Sequence, residues 1–180
     1  VEAGLSLVDL QYALSQKNQW LPVDWPWGTE PKDGPNSGGS IGGLVARGLS
    51  GSLRHKHFAI RDQIIGIELI RSNGIYAKAG GKVVKNVAGY DLMRLLCGSW
   101  GSLAMITEIT LRTKPIRPFL SSLRLQGSID ELENLRADLI RSNLDLEYCD
   151  WIRDVNVEQV WQIELGLSGI SQRTIDSQIN

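Results

Sequence analysis

The sequence predicts an α+β fold in two parts, and three observations carry this prediction. Apolar residues recur at helical spacing in some segments and alternate as in strands in others. A dense run of glycines between residues 34 and 51 interrupts the first part. Pro115 and Pro118 mark a boundary, after which the order strand–helix–strand–strand indicates a separate subdomain. We therefore expect one domain over residues 1–118 and the start of a second over residues 119–180.

Local patterns predict three elements early in the first part. Ser6 followed by Asp9 resembles a capping box and predicts a helix over residues 6 to about 17. Residues 64–70 have the composition of a strand, and residues 75–78 are expected to pair back on it as a hairpin.

Two further elements complete the first part. Apolar residues at helical spacing from Val87 to Leu96, followed by Gly98, predict a helix and its end. Residues 103–112 alternate in side-chain character and predict a strand.

The second part has its own pattern. Residues 119–125 predict a strand, and Ser128 with Glu131 predicts the capped start of a helix. Two more strands are expected near residues 145–152 and 158–165.

The composition is that of an ordinary globular chain. Of 180 residues, 42% are hydrophobic and 22% charged, and the formal net charge is −1. Without a basic stripe interleaved with aromatic residues, nucleic acid is not expected as a partner. No apolar run approaches the roughly 18 residues that predict a membrane span. Cys97 and Cys149 lie far apart and are predicted to be free thiols in a reducing compartment, which favours the cytoplasm.

The start of the chain also carries an expectation. The first residue is Val1 rather than methionine, and residues 1–4 have the pattern of a strand that enters a turn. We therefore expect the chain to be an internal piece of a longer protein.

The strongest functional signal is the glycine run, in which residues 38–51 read G-G-S-I-G-G-L-V-A-R-G-L-S-G. Paired glycines before a short helix expose backbone N–H groups and the positive helix end, which suits a phosphate or an electron-rich ring. Glycine clusters also serve plain turns, so these residues alone leave both interpretations open. Because the G-x-G-x-x-G fingerprint and the P-loop are absent, a nucleotide site would need another architecture.

Two later segments follow the glycine run in a fixed order. Residues 85–92 read K-N-V-A-G-Y-D-L, and residues 95–108 read L-L-C-G-S-W-G-S-L-A-M-I-T-E. Together with the glycine run, they resemble three motifs of the FAD-linked oxidases of the vanillyl-alcohol oxidase type. The combination with Arg61-Asp62 is similar to the FAD-binding subunits of glycolate oxidase.

The resemblance implies a fold and a cofactor. Residues 1–118 would form the C-terminal part, or second lobe, of a PCMH-type FAD-binding domain, a mixed sheet with flanking helices. Residues 119–180 would begin an α+β cap or substrate subdomain. The cofactor would be FAD, and the residues implied in binding it, mostly through main-chain groups, are Gly39, Ser40, Ile41, Gly42, Gly43, Ser50, Gly51, Ile106 and Thr107.

The resemblance also implies an activity and partners. FAD in the whole protein would accept a hydride equivalent from a small 2-hydroxy acid such as glycolate, which becomes a 2-oxo acid. A second flavoprotein subunit and an iron–sulfur subunit would be partners, and would bring the protein to the inner face of a membrane. The catalytic base is not identified, and the isolated piece is expected to be inactive. The alternatives are an oxidase of D-lactate or a sugar alcohol, and a non-catalytic assembly subunit that retains the fold.

One histidine pair is a candidate that we reject. His55 and His57 lie in the basic segment 54–57, but a metal site needs further ligands nearby and none is evident. We expect no metal and no covalent flavin here, and we predict a solvated loop.

Overall fold

The computed structural model describes four stretches of the chain, residues 1–24, 39–81, 91–153 and 160–179. The chain divides into two compact units, Val1–Ile116 and Arg117–Asn180. We call them the first unit and the second unit. Each has its own cluster of buried apolar side chains.

The first unit combines short helices with short strands. Its elements are α1 (Leu7–Ser15), β1 (Gln19–Trp20), α2 (Ile41–Arg47), α3 (Arg54–His57), α4 (Ile60–Gln63), β2 (Ile64–Arg71), β3 (Tyr76–Gly80), α5 (Leu92–Leu96), β4 (Ala104–Leu111) and β5 (Lys114–Pro115). The main sheet has the order β3-β2-β4, and β1 pairs with β5. All strand pairs that the described residues form are antiparallel, so they do not show the parallel pairing that a mixed sheet implies.

Helix α1 begins where the sequence predicts it. The Ser6 hydroxyl accepts a hydrogen bond from the N–H of Asp9 at 3.0 Å and caps the helix. Leu7 and Leu10 are buried on its inner face. The helix ends earlier than predicted, and the left-handed Asn18 (φ 54°) turns the chain away.

The predicted strand, hairpin and second strand are confirmed as β2, β3 and β4. Their register places Ile67 and Leu69 of β2 beside Ile109 and Ile106 of β4 on the buried face of the sheet. Helix α2 packs against β4, so the glycine run lies over this sheet. Helix α5 begins at Leu92 after its cap, and the part of the predicted helix that precedes residue 91 lies outside the described residues.

The second unit follows the predicted order and adds a helix. Its elements are β6 (Phe119–Gly127), α6 (Ile129–Arg141), β7 (Leu146–Arg153), β8 (Trp161–Gly169) and α7 (Gln172–Ile179). The sheet has the order β6-β8-β7. Ser128 and Glu131 form the predicted capping box at the start of α6. The sequence pattern did not predict α7, in which Ile175 is the one buried residue and the others are polar except for the exposed Ile179.

None of the helices in the described stretches has both the length and the apolar character that crossing a bilayer requires.

Candidate functional site

The first residues of the chain join the glycine run to β4. Val1 exchanges hydrogen bonds with Ile109, and the N–H of Ala3 donates to the carbonyl of Thr107 at 2.9 Å. The carbonyl of Ala3 in turn accepts from the N–H of Gly42 at 2.8 Å. A single residue therefore links two segments that the sequence separates by 65 positions between Gly42 and Thr107. Both segments implied in cofactor binding lie in one hydrogen-bonded layer.

The first N–H groups of α2 donate hydrogen bonds to acceptors within the protein. The N–H of Ile41 donates to the carbonyl of Leu5 at 2.9 Å, and the N–H of Gly43 donates to the hydroxyl of Ser40 at 3.1 Å. With Gly42 bound to Ala3, three successive N–H groups have protein acceptors. The N–H groups of Ile41, Gly42 and Gly43 are therefore not left unbonded for a phosphate, as the first interpretation of the glycine run would require.

Close packing explains one of these glycines. A Cβ on Gly42 would lie 2.8 Å from the Cβ of Ala3 and 2.9 Å from its carbonyl oxygen. The absent side chain lets α2 approach the first residues of the chain, and the carbonyl of Gly39 accepts a hydrogen bond from the N–H of Leu7. Contact of residues 39–43 with FAD stays a prediction.

The end of α2 leads into a loop that Asp24 holds in place. Gly48 is left-handed, with φ 64°, and its N–H closes the helix on the carbonyl of Leu44. A Cβ on Gly51 would lie 2.5 Å from the side chain of Asp24, whose carboxylate accepts the N–H of Leu53 at 2.9 Å. This arrangement leaves Ser50 exposed at the edge of a shallow pocket.

Thr107 occupies a β-bulge in β4. Glu108 pairs with Glu68 and Ile106 with Leu69, so Thr107 is the extra residue without a partner on β2. Its hydroxyl oxygen is buried and has no hydrogen-bond partner in the part of the chain that the structure describes. Such an orphaned hydroxyl fits a ligand rich in hydroxyl and phosphate oxygens, as FAD is. The side chain of Ile106 packs in the core, so only its main chain is available.

A thiol lies close to the same region. A Cβ on Gly48 would be 3.7 Å from the sulfur of Cys97. Burial raises the pKa of the Cys97 thiol, while the charge of Arg61 opposes this rise and that of Asp62 adds to it. The group is therefore a protonated thiol at neutral pH and is not an activated nucleophile. Both cysteines are free, as predicted.

The prediction of a solvated loop at residues 54–57 is wrong for one histidine. His57 is buried, its Nδ1 lies 2.9 Å from the Nζ of Lys114, and its ring meets that of Trp20 edge-on at 5.3 Å. These partners come from remote parts of the chain, so local composition could not reveal them. His55 is exposed. Within the described stretches, no three His, Cys, Asp or Glu side chains are grouped as metal ligands.

Sequence reasoning missed four residues that shape this region. Ala3 and Asp24 hold it together through contacts over long sequence distances, and Arg54 and Phe58 line the pocket beside Ser50. No local pattern marks any of them. Gly38 and residues 85–90 of the second motif lie outside the described residues.

Residues 1–80 match the sequence model of a family described as an FAD binding domain. The chain carries part of an FAD binding domain. FAD is therefore its cofactor, and the resemblance to FAD-linked oxidases that the three motifs predict is confirmed.

Two curated relatives of this FAD binding domain chain are similar in sequence. The glycolate oxidase subunit GlcE of Escherichia coli (strain K12) is 41% identical over 130 residues, which are 71% of this chain and 35% of that protein. The mitochondrial D-lactate dehydrogenase (cytochrome) of Arabidopsis thaliana is 38% identical over 116 residues, 64% of this chain and 19% of that protein. The chain thus spans about a third or less of the length of these relatives.

Solved structures agree on the fold of the chain. An alkyldihydroxyacetonephosphate synthase superposes with a TM-score of 0.74 over 99% of this chain and 36% of that chain, at 16% sequence identity. At this identity the similarity shows the fold alone. The predicted class, an α+β chain that contains part of a PCMH-type FAD-binding domain, is confirmed.

Proposed function

We propose that this chain is part of an FAD-dependent oxidoreductase that oxidises a small 2-hydroxy acid to the corresponding 2-oxo acid. Its relatives are named for glycolate and for D-lactate, and both compounds are 2-hydroxy acids. The structural observation that carries the proposal is the buried hydroxyl of Thr107, orphaned among the described residues beside the main chain that joins β4 to α2. When bound, FAD supplies the redox chemistry by accepting a hydride equivalent.

The residues of the chain hold and shield the cofactor in this proposal. Thr107 supplies a hydroxyl donor, and Ser50, together with Gly51, supplies a second polar edge. The close-packed main chain of residues 39–43 forms a wall, with Ile106 contributing main chain only. Since the first N–H groups of α2 are already bound, this wall acts by shape rather than by donating its helical N–H groups.

The second unit and the partners complete the proposal. We assign residues 119–180 to the start of a cap subdomain over the substrate. A second flavoprotein subunit and an iron–sulfur subunit would take electrons onward at the inner face of a membrane. The relative named as a subunit of glycolate oxidase supports the existence of partner subunits, and the kinds of subunit and the cap assignment come from the resemblance to the family.

The first experiment asks whether the full-length protein that contains this chain binds flavin. We expect the purified protein to show flavin absorbance in the visible range, and to reduce a dye with either glycolate or D-lactate. The faster of the two substrates identifies the acid. Absence of flavin, with no uptake of added FAD, would contradict the proposal and favour a non-catalytic assembly subunit.

A pair of matched variants tests the site itself. Thr107→Val removes the orphaned hydroxyl without changing the shape of the side chain, and Thr110→Val is its control on the same strand. We expect Thr107→Val to raise the Kd for FAD about tenfold, the loss of one hydrogen bond. The apoprotein should keep its stability, because the removed hydroxyl has no described partner. Equal Kd values for the two variants would remove Thr107 from the site.

A further inference from the structure

Phe58 has a backbone conformation that a bulky residue rarely adopts. Its φ of 66° and ψ of 171° lie in a region that is essentially reserved for glycine. Two contacts hold it there, because its N–H donates to the carbonyl of Arg54 at 3.0 Å and its carbonyl accepts from the Gln63 amide at 3.4 Å. Glycine would occupy this position without strain, so the phenyl ring is present at a cost.

Burial of the ring within the protein does not compensate for this backbone strain. The side chain of Phe58 is 66% exposed. It lines the shallow pocket that Ser50 also lines. An aromatic ring that is held by a strained backbone and left in solvent gains stabilisation only when something covers it.

The pocket also has a cation. Arg54, at the start of α3, lines it and is exposed. Within the described part of the chain, its guanidinium has no ion-pair partner. Arginine binds phosphate through two parallel hydrogen bonds, and an aromatic face stacks on a planar heterocycle. The pair therefore suits a ligand in which a heteroaromatic ring adjoins a diphosphate.

We propose that Phe58 and Arg54 extend the cofactor site at Ser50, with Phe58 stacking on a heteroaromatic ring of FAD and Arg54 binding its diphosphate. This inference rests on the proposed FAD site. It adds two side-chain contacts, neither of which belongs to the three motifs, and it explains why a strained aromatic residue is retained at position 58.

Three substitutions of Phe58 distinguish the contribution of the ring from that of the backbone strain. Phe58→Gly removes the ring and relieves the strain, Phe58→Ala removes the ring only, and Phe58→Tyr keeps both. The measurements are the thermal midpoint of the apoprotein and the Kd for FAD from flavin fluorescence, on the full-length protein. We expect Phe58→Gly to raise the apoprotein midpoint by about 3 °C. Both Gly and Ala should raise the Kd about tenfold, while Tyr stays within about twofold.

A separate variant tests the charge of Arg54. We expect Arg54→Gln to raise the Kd for FAD about tenfold and to weaken its dependence on salt. Arg71→Gln, at the exposed end of β2, is the matched control and should leave the Kd unchanged. Competition by ADP and by FMN identifies the stacked ring, since Phe58→Ala weakens only the competitor that carries it.

The outcomes distinguish the two proposals. If the wild-type protein binds no FAD, the proposed function itself fails. If it binds FAD and Phe58→Gly or Phe58→Ala binds equally well, Phe58 is only a strained structural residue and the inference is overturned. Should Phe58→Gly fail to fold, the Ala and Tyr variants decide the matter alone.

Discussion

The two units are each built on a three-stranded antiparallel sheet, but different contacts organise them. In the first unit, main chain meets main chain, as where Ala3 bridges Gly42 and Thr107. Among the described residues of the second unit, the main-chain contacts over long sequence distances are those of the sheet itself, and side chains add to them, as where Glu164 accepts hydrogen bonds from Arg124 and Ser122. Contacts between main-chain atoms require particular glycines, whereas side-chain contacts can be rebuilt in many ways.

The β-bulges of the two sheets also differ in how their side chains are bonded. Both sheets contain β-bulges, among them one at Thr107 in β4 and one at Glu147 in β7. Glu147 is buried and accepts a hydrogen bond from Ser168, whereas the Thr107 hydroxyl has no partner among the described residues. The bulge at Glu147 is therefore satisfied within its sheet, whereas the Thr107 hydroxyl is left for the proposed cofactor contact.

The substitution with the largest expected effect disrupts the main-chain contacts of the first unit. Gly42→Val forces a side chain against Ala3, where backbone and Cβ leave no room. We expect the free energy of unfolding to fall by about 3 kcal/mol and FAD binding to be lost. Urea denaturation measures the first effect. A loss below that of the Gly166 variant described next would mean that main-chain packing is not what distinguishes the first unit.

A matched glycine in the second unit should be more tolerant. A Cβ on Gly166 would meet the ring of Tyr148, which is a side chain that can rotate away. We expect Gly166→Val to lower the free energy of unfolding by about 1.5 kcal/mol and to leave the Kd for FAD unchanged. A loss equal to that of Gly42→Val would show that the two sheets tolerate crowding alike.

The two serine caps sharpen the comparison. Ser40 caps α2, and Ser128 caps α6 as part of a capping box. Each change to alanine should lower the free energy of unfolding by about 1 kcal/mol. Only Ser40→Ala should also raise the Kd for FAD, because Ser40 lies in the proposed site. If Ser128→Ala weakened FAD binding as much, the effect would be one of global stability.

The smallest effect concerns pH and the second unit. The hydrogen bond from Arg124 holds the pKa of the Glu164 carboxyl below its usual value of 4.5, and Ser122 and Tyr148 act in the same direction. Since the folded pKa is the lower one, this stabilisation is complete above about pH 4.5 and is lost as the pH falls through the folded pKa. We expect Arg124→Gln to cost a few tenths of a kcal/mol at pH 7, as for other exposed ion pairs.

The measurement is the difference in unfolding free energy between wild type and Arg124→Gln across pH 3 to 7. It should shrink towards the acid end. Arg173→Gln, an exposed change on α7, should show no such trend. A difference that stays constant with pH would contradict the pairing.

Much of the fold was predictable, for identifiable reasons. Capping residues such as Ser6 and Ser128 act within one turn of a helix, so the local sequence contains the whole interaction. Strand alternation predicted β4 but not its buried face, because the bulge at Thr107 brings Ile106 and Ile109 into the same core and leaves Met105 exposed. Helix α7 was missed because its short pattern has a single buried residue, Ile175, and tertiary packing rather than periodicity stabilises it.

The candidate site was predictable only in part. The three motifs identified the family and included Ser50 and Thr107. They did not reveal that the first N–H groups of α2 donate hydrogen bonds within the protein. The N–H groups of Ile41 and Gly42 bond to Leu5 and Ala3, which no pattern in the glycine run reveals. Asp24 likewise joins the region from a distant part of the chain, and only the fold shows that Arg54 and Phe58 line the same pocket as Ser50.

By itself, the sequence determined the α+β class, most of the elements, the FAD-binding family and the cofactor, because these depend on local patterns and on motifs of fixed order. Only the tertiary structure decided which groups remain available to a ligand. In the folded chain, the first N–H groups of α2 have protein acceptors, and the Thr107 hydroxyl has no described partner. His57 is buried against Lys114. Hydrogen-bond satisfaction is a property of the neighbours in space, and residues far apart along the chain supply those neighbours.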